Sequence, residues 1–155
     1  MKLASPAFRE GATIPVAHTC DGDDTSPALA WNGAPAGTKS FALICDDPDA
    51  PGKTWVHWVL FNVPPTLTEL HEDVTKTEKP NDLGGALQGI TDFRRVGYGG
   101  PCPPPGKPHR YFFKLYALDA HLPLHAGATK ADVERAMQGH MLGDAQLMGT
   151  FGRSH

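Results

Sequence analysis

No stretch of the chain is apolar over the ~20 residues that a bilayer-spanning helix requires. The longest apolar run, Trp55 to Phe61, is interrupted by His57, so membrane insertion is not expected. A basic excess is also missing: 14 lysines and arginines stand against 17 aspartates and glutamates, a formal net charge of -3. Such a surface has no field to hold nucleic acid or an anionic bilayer. An anion that binds must be drawn in by local groups. Cysteine is scarce, with Cys20, Cys45 and Cys102 alone and no C-x-x-C pair. The odd count and the spacing argue against a disulfide framework or a zinc knuckle. The first ten residues lack the apolar centre of a secretory leader. The expectation is a cytoplasmic protein with three free thiols. Internal repeats and low-complexity tails are missing as well.

What is present is ordinary globular composition, 40% hydrophobic and 20% charged over 155 residues, which suits one domain spanning 1–155. The 15 prolines and 17 glycines cluster between apolar runs, the pattern of a β-rich fold with shaped loops. Ser40 to Asp47 reads as a strand of mixed burial, with Phe41, Leu43, Cys45 and Asp47 on one face. Trp55 to Val63 is a nearly unbroken run of β-formers and reads as a strand buried on both faces. His109 to Leu118 reads as a third strand, with His109, Tyr111, Phe113 and Leu115 on one face. Thr129 and Asp132 form a capping-box variant ahead of Val133, Ala136, Met137, His140 and Met141 at helical spacing, with Gly143 placed to end the helix. Ala145 to Phe151 reads as a closing strand, and short early strands are expected around Phe8 and Leu29–Trp31. The sum is a mainly β fold: an antiparallel β-sandwich with a peripheral helix near the C-terminus.

Three features carry chemistry. His57 sits in a run that otherwise wants apolar side chains, so its imidazole must find a partner or line a cavity. His109 follows a stiff loop, Gly97 to Pro108, whose successive N–H groups from Gly97 to Gly100 suit an anion-binding nest. Tyr111 points the same way as His109. The third is Asp47-Pro48-Asp49-Ala50-Pro51, where two X-Pro bonds beside a strand end predict a cis peptide bond. Asp21, Asp23 and Asp24 read as a solvated loop.

DPDAP, then WVHWVLFNVP, then the Gly-rich loop ending in HRYFF, in that order, resembles the phosphatidylethanolamine-binding protein family. More narrowly the chain is similar to the bacterial branch often called Raf-kinase-inhibitor-like. Asp24 to Trp31 and Pro35 to Phe41 add further matches. The resemblance implies a large antiparallel sheet packed on a smaller one. It also implies a pocket for phosphate, a carboxylate or a phospholipid head group, lined by Asp47, Pro51, His57, Gly100, Pro101, His109 and Tyr111. No cofactor is implied. This chain departs from relatives in having Cys102 before three prolines, which predicts a thiol at the pocket mouth. The long C-terminal helix that gates the pocket in eukaryotic members is not evident.

The reading adopted is a small-anion binder in which His57, His109 and Tyr111 supply donors and Asp47 orients an imidazole. Trp55 and Phe113 are the expected apolar walls. An enzyme is the alternative, with acid–base hydrolysis, a Cys102–His109 nucleophile pair, or a metal on the two histidines and Asp47. A third reading is a regulator of a kinase or another, unidentified protein partner. A homodimer is compatible with all three.

Overall fold

The computed structural model describes residues 1–154. Eight strands and one α-helix form in the order β1 (Lys2–Ala4), β2 (Leu29–Asn32), β3 (Ser40–Asp47), β4 (Trp55–Val63), β5 (Glu69–Leu70), β6 (Leu87–Gln88), β7 (His109–Leu118), α1 (Lys130–Met137) and β8 (Met141–Phe151). A five-stranded sheet runs β6-β4-β3-β7-β8 and a three-stranded sheet runs β1-β2-β5. The pairings within both are antiparallel.

The long strands β4, β3 and β7 lie side by side in the middle of the large sheet. β3 and β4 are covered on both faces, which suits their apolar composition, whereas β7 alternates buried with partly exposed residues. All eight residues of β3 are buried, so the expectation of mixed burial is corrected. On one face Phe41, Leu43, Trp58, Leu60, Phe113 and Leu115 pack against Leu3, Leu29, Trp31 and Leu70 of the small sheet. On the other, Ala42, Ile44, Val59, Phe61 and Leu118 pack under Val133 and Met137 of α1. Asp46 lies beneath that second layer, 1% exposed, with Lys130 Nζ 2.7 Å from its Oδ2 and Lys114 Nζ 3.1 Å from its Oδ1. Neighbouring side chains of a strand point to opposite faces, so Asp47 belongs to the first side, at the end of β3.

Thr129 caps α1 as its sequence suggests. Its hydroxyl accepts the Asp132 N–H at 3.1 Å, and the Asp132 carboxylate accepts the Thr129 N–H at 3.1 Å. The helix then stops at Met137, not at Gly143. Gln138 has left helical geometry with ψ 128, and Gly139 turns the chain at φ 81. His140 and Met141 therefore fall outside the helix, and the last strand starts four residues before Ala145. At the other end, β1 covers Lys2–Ala4 while Phe8 lies outside it, in the core.

Two further expectations are corrected. Among the described residues there is no cis peptide bond. The DPDAP reversal is made instead by an Asx-type turn, in which Asp47 Oδ1 accepts the Asp49 N–H at 2.7 Å, and by Gly52 at φ 84. Nor are all the thiols free. Cys20 and Cys102 form a disulfide across 82 residues, with Cα atoms 5.4 Å apart, and only Cys45 among the described residues is a free cysteine, buried in the core. The Cys20 N–H also donates to Pro101 O at 3.1 Å, so backbone pairing brings the two sulfurs together. No helix among the described residues is long and apolar enough to cross a membrane.

Candidate functional site

A cavity of about 270 Å³ opens where the ends of β3, β4 and β7 meet. Asp47 arrives from the end of β3, Trp55 and His57 from β4, and His109 and Tyr111 from β7; Ala50 and Pro51 of the DPDAP turn form one rim. Phe93 and the segment Cys102–Pro103–Pro104 close the other side. The structure thus gathers Asp47, Pro51, His57, His109 and Tyr111 around one space, and Trp55 forms an apolar wall. Phe113 does not line it, being two residues deeper in the core, and Phe93 takes that place. Phe93 is held there from a loop, with its ring centroid 5.2 Å from that of His57 and 5.6 Å from that of Trp55. A loop residue of this kind carries no periodicity by which the sequence announces it.

Gly100 and Pro101 stand behind the wall, outside the lining. The expected N–H nest is also partly spent within the protein. The Gly99 N–H donates to His57 O at 2.9 Å, and the Gly100 N–H donates to Asp24 Oδ1 at 2.7 Å. A side chain at Gly100 would collide with His18 O and the Asp24 carboxylate, which is why glycine is required there. Asp24 is consequently no free solvated residue. It is half-buried at φ 60, and its carboxylate faces Lys76 Nζ at 3.6 Å.

Both imidazoles are anchored through Nδ1. His57 Nδ1 is 2.6 Å from Gly99 O, and His109 Nδ1 is 2.7 Å from Asp47 Oδ2. A carbonyl oxygen accepts and never donates, so His57 carries its proton on Nδ1. The Asp47 carboxylate fixes His109 the same way. No hydrogen bond among the described residues engages either Nε2, which leaves each free for the cavity. In a neutral ring of this tautomer Nε2 accepts, and it donates only when the ring is protonated. Burial pushes the His57 pKa below its ordinary 6.5, opposed by the bond to Gly99 and by the charge of Asp47. The Tyr111 ring sits between the two, 5.1 Å from His57 edge-on and 6.5 Å from His109 nearly parallel. Its hydroxyl is buried with no hydrogen-bond partner among the described residues. Burial, with the Asp47 charge second, raises its pKa well above the usual phenol range, so it remains a donor. Both Asp47 oxygens are taken, one by His109 and one by the Asp49 N–H.

The rim is braced from outside. The Asp49 carboxylate accepts from Arg110 Nε and Nη2, each at 2.9 Å, and from the Arg110 N–H at 2.9 Å. Those hydrogen bonds hold its pKa down to about 2. Among the described residues no group of three or more His, Cys, Asp or Glu side chains is arranged to hold a metal ion. Cys102 cannot serve as a nucleophile while its sulfur is bonded to Cys20.

An antiparallel sandwich with a pocket of this composition at its strand ends defines a class of small ligand-binding domains. The chain belongs to the phosphatidylethanolamine-binding protein family, whose model matches residues 4–152. It is 53% identical to a UPF0098 protein of Methanothermobacter thermautotrophicus, over 99% of each chain. It is 49% identical to a UPF0098 protein of Aquifex aeolicus, over 99% of this chain and 89% of that one. Among solved structures it resembles Escherichia coli YbcL, described as a member of the mammalian PEBP family, with TM-score 0.92, 36% identity and 98% of each chain covered. It also resembles the putative PEBP homolog CT736 of Chlamydia trachomatis, with TM-score 0.88, 37% identity, and 98% of this chain and 97% of that one covered. Membership supports a ligand-binding role in general.

Proposed function

We propose that the pocket binds a small anion, a phosphate, carboxylate or phospholipid head group, among His57, His109 and Tyr111. One observation carries this reading: two imidazoles whose Nε2 atoms make no hydrogen bond among the described residues, and a tyrosine whose buried hydroxyl has no partner among them, line one cavity whose other walls, Asp47 apart, are mainly apolar. Because both tautomers leave Nε2 without a proton, an anion recruits the imidazoles only as imidazolium. Binding is therefore coupled to proton uptake. Asp47 contributes by orienting His109, not by meeting the ligand, since its oxygens are already engaged. Trp55, Phe93 and the prolines accommodate a short apolar or amine substituent. A binder whose pocket sulfur is locked in a disulfide suits a regulatory role, exercised on a kinase or another protein partner, better than covalent catalysis.

Calorimetry with acetate tests this, because a carboxylate stays ionised above about pH 6 whereas phosphate loses charge in the same range. Affinity should rise on the order of tenfold between pH 8 and pH 6, with the His57 share of the rise displaced toward the acid end. His109→Ala should weaken binding at pH 6 by roughly 1.5–3 kcal/mol, the worth of a charge-assisted hydrogen bond. Flat affinity across this range in the unaltered protein, with His109→Ala indistinguishable from it, would leave backbone groups as the binding elements and sink the assignment.

Tyr111→Phe separates stability from binding. Removing a buried hydroxyl that has no partner should leave the free protein as stable as before, or about 1 kcal/mol more stable. Acetate affinity should fall by about tenfold over the same change. Thermal melts with and without acetate read both signs, and a joint loss of stability and affinity would mean that the hydroxyl has a structural partner.

A further inference from the structure

The peptide unit joining Gly99 to Gly100 is gripped at both ends. Its carbonyl oxygen, on Gly99, lies 2.6 Å from His57 Nδ1, and its N–H, on Gly100, lies 2.7 Å from Asp24 Oδ1. A carboxylate on the N–H side of an amide draws the N–H dipole toward itself and leaves more negative charge on the carbonyl oxygen; hydrogen bonds in series strengthen one another in this way. Asp24 therefore stands to His57, through one peptide plane, as Asp47 stands directly to His109.

We propose that Asp24 is a positioning residue of the pocket, whose carboxylate acts through the Gly99–Gly100 peptide to hold the His57 imidazole with Nδ1–H on Gly99 and Nε2 toward the cavity. The surrounding bonds fit the role. Lys76 Nζ donates to Asp24 O at 2.8 Å, and the Tyr98 hydroxyl donates to His18 O at 2.7 Å, so the Asp24 strap and the glycine loop are fastened to the body on both sides. Asp24 itself takes φ 60 to reach Gly100, a conformation that most residues avoid but that aspartate, asparagine and glycine tolerate. The titratable and charged groups around His57 are Asp47 at the end of β3, His109 and Tyr111 on β7, and Asp24 with Lys76 behind it. Among these Asp24 acts on the Nδ1 side through the loop.

The inference rests on the pocket reading above, yet it is tested in the free protein, where failure of anion binding has no bearing on it. Nitrogen-detected NMR of the His57 ring reports tautomer and titration midpoint. Asp24→Asn keeps the acceptor and suits the backbone angle but removes the charge. It should retain the Nδ1–H tautomer and lower the midpoint by about 0.5 pH unit, less than the one to three units of a direct ion pair. Asp24→Gly suits the angle but removes the acceptor, and should populate both tautomers. Adding Lys76→Gln to Asp24→Asn controls for the ammonium freed by the first change, and the lowered midpoint should persist. A His57 midpoint in Asp24→Asn equal to that of the unaltered protein overturns the proposal, as does full recovery of the midpoint in the double variant. Should Asp24→Gly fail to fold, the Asp24→Asn titration still decides. A lowered midpoint in Asp24→Asn, with no acetate binding by the unaltered protein, would instead overturn the pocket reading alone.

Discussion

Cys20→Ser, or full reduction by a dithiol, should remove about 4.5 kcal/mol of stability, the loop-closure value for a cross-link spanning 82 residues. The bond adds little contact area in the native state. Its main effect falls on the unfolded chain, which it forbids to separate the early Asp-rich loop from the Pro-rich pocket wall. Both cysteines are exposed, so a reductant reaches them without prior unfolding. For a chain of 155 residues the melting temperature should fall by roughly 10–15 °C. Three hydrogen bonds survive reduction and keep the glycine loop attached: Cys20 N–H to Pro101 O, Gly100 N–H to Asp24, and the Tyr98 hydroxyl to His18 O. The native pocket should therefore persist in the cold while the unfolding transition moves down. Paired thermal and urea melts, with and without the dithiol, check this. A difference under about 1 kcal/mol would show that the denatured chain already holds the two loops together.

Asp46→Ala should cost about 3 kcal/mol. Two ammonium groups converge on this one carboxylate, and their side chains are only 31% and 20% exposed for Lys114 and Lys130. Removing the anion strands two cations near the seam between α1 and the sheet. Breaking a buried ion pair from one side typically costs ~3–5 kcal/mol. The lower end applies, because both lysines can extend their stems toward water. Lys130→Met in the same chain should return part of the loss, since an apolar stem tolerates the vacated site. Urea unfolding of the single and double variants measures it. A loss below about 1 kcal/mol would place the triad with ordinary surface pairs.

The three central strands were legible in the sequence to the residue, because Ser40–Asp47, Trp55–Val63 and His109–Leu118 are stretches rich in β-forming residues between polar or proline boundaries. Their ends also placed four pocket residues, since Asp47, His57, His109 and Tyr111 all sit on those runs. The helix cap was legible for the same local reason. Its end was not: Met141 continues the helical spacing by coincidence, while Gln138 and Gly139 had already turned the chain. What the sequence concealed was delivered by loops across long separations. Phe93 reaches the cavity, Asp24 reaches Gly100, and Cys20 reaches Cys102, and none of these meetings leaves a periodic trace. The odd cysteine count, the spacing and the expected compartment all argued for free thiols, and the fold overrode them by bringing two loops into backbone contact.

Asp46 and Asp47 are consecutive in the chain yet serve separate territories, one fastening the helix and the other orienting a pocket imidazole. A slip of β3 by one residue toward its end would seat Asp46 where Asp47 stands and Cys45 where Asp46 stands. His109 would keep a carboxylate, but Lys114 and Lys130 would lose theirs. Volume resists the slip as well. The same slip would carry Phe41, Leu43 and Cys45 under α1 and send Ala42 and Ile44 against the small sheet, crowding one layer and hollowing the other. A one-residue insertion before Phe41 that the loop cannot absorb should thus be rejected by steric mismatch well before it is felt in the pocket. The doublet of acids would spare the imidazole in such a slip but not the lysines, and the uneven sizes beside it make the strand intolerant in position.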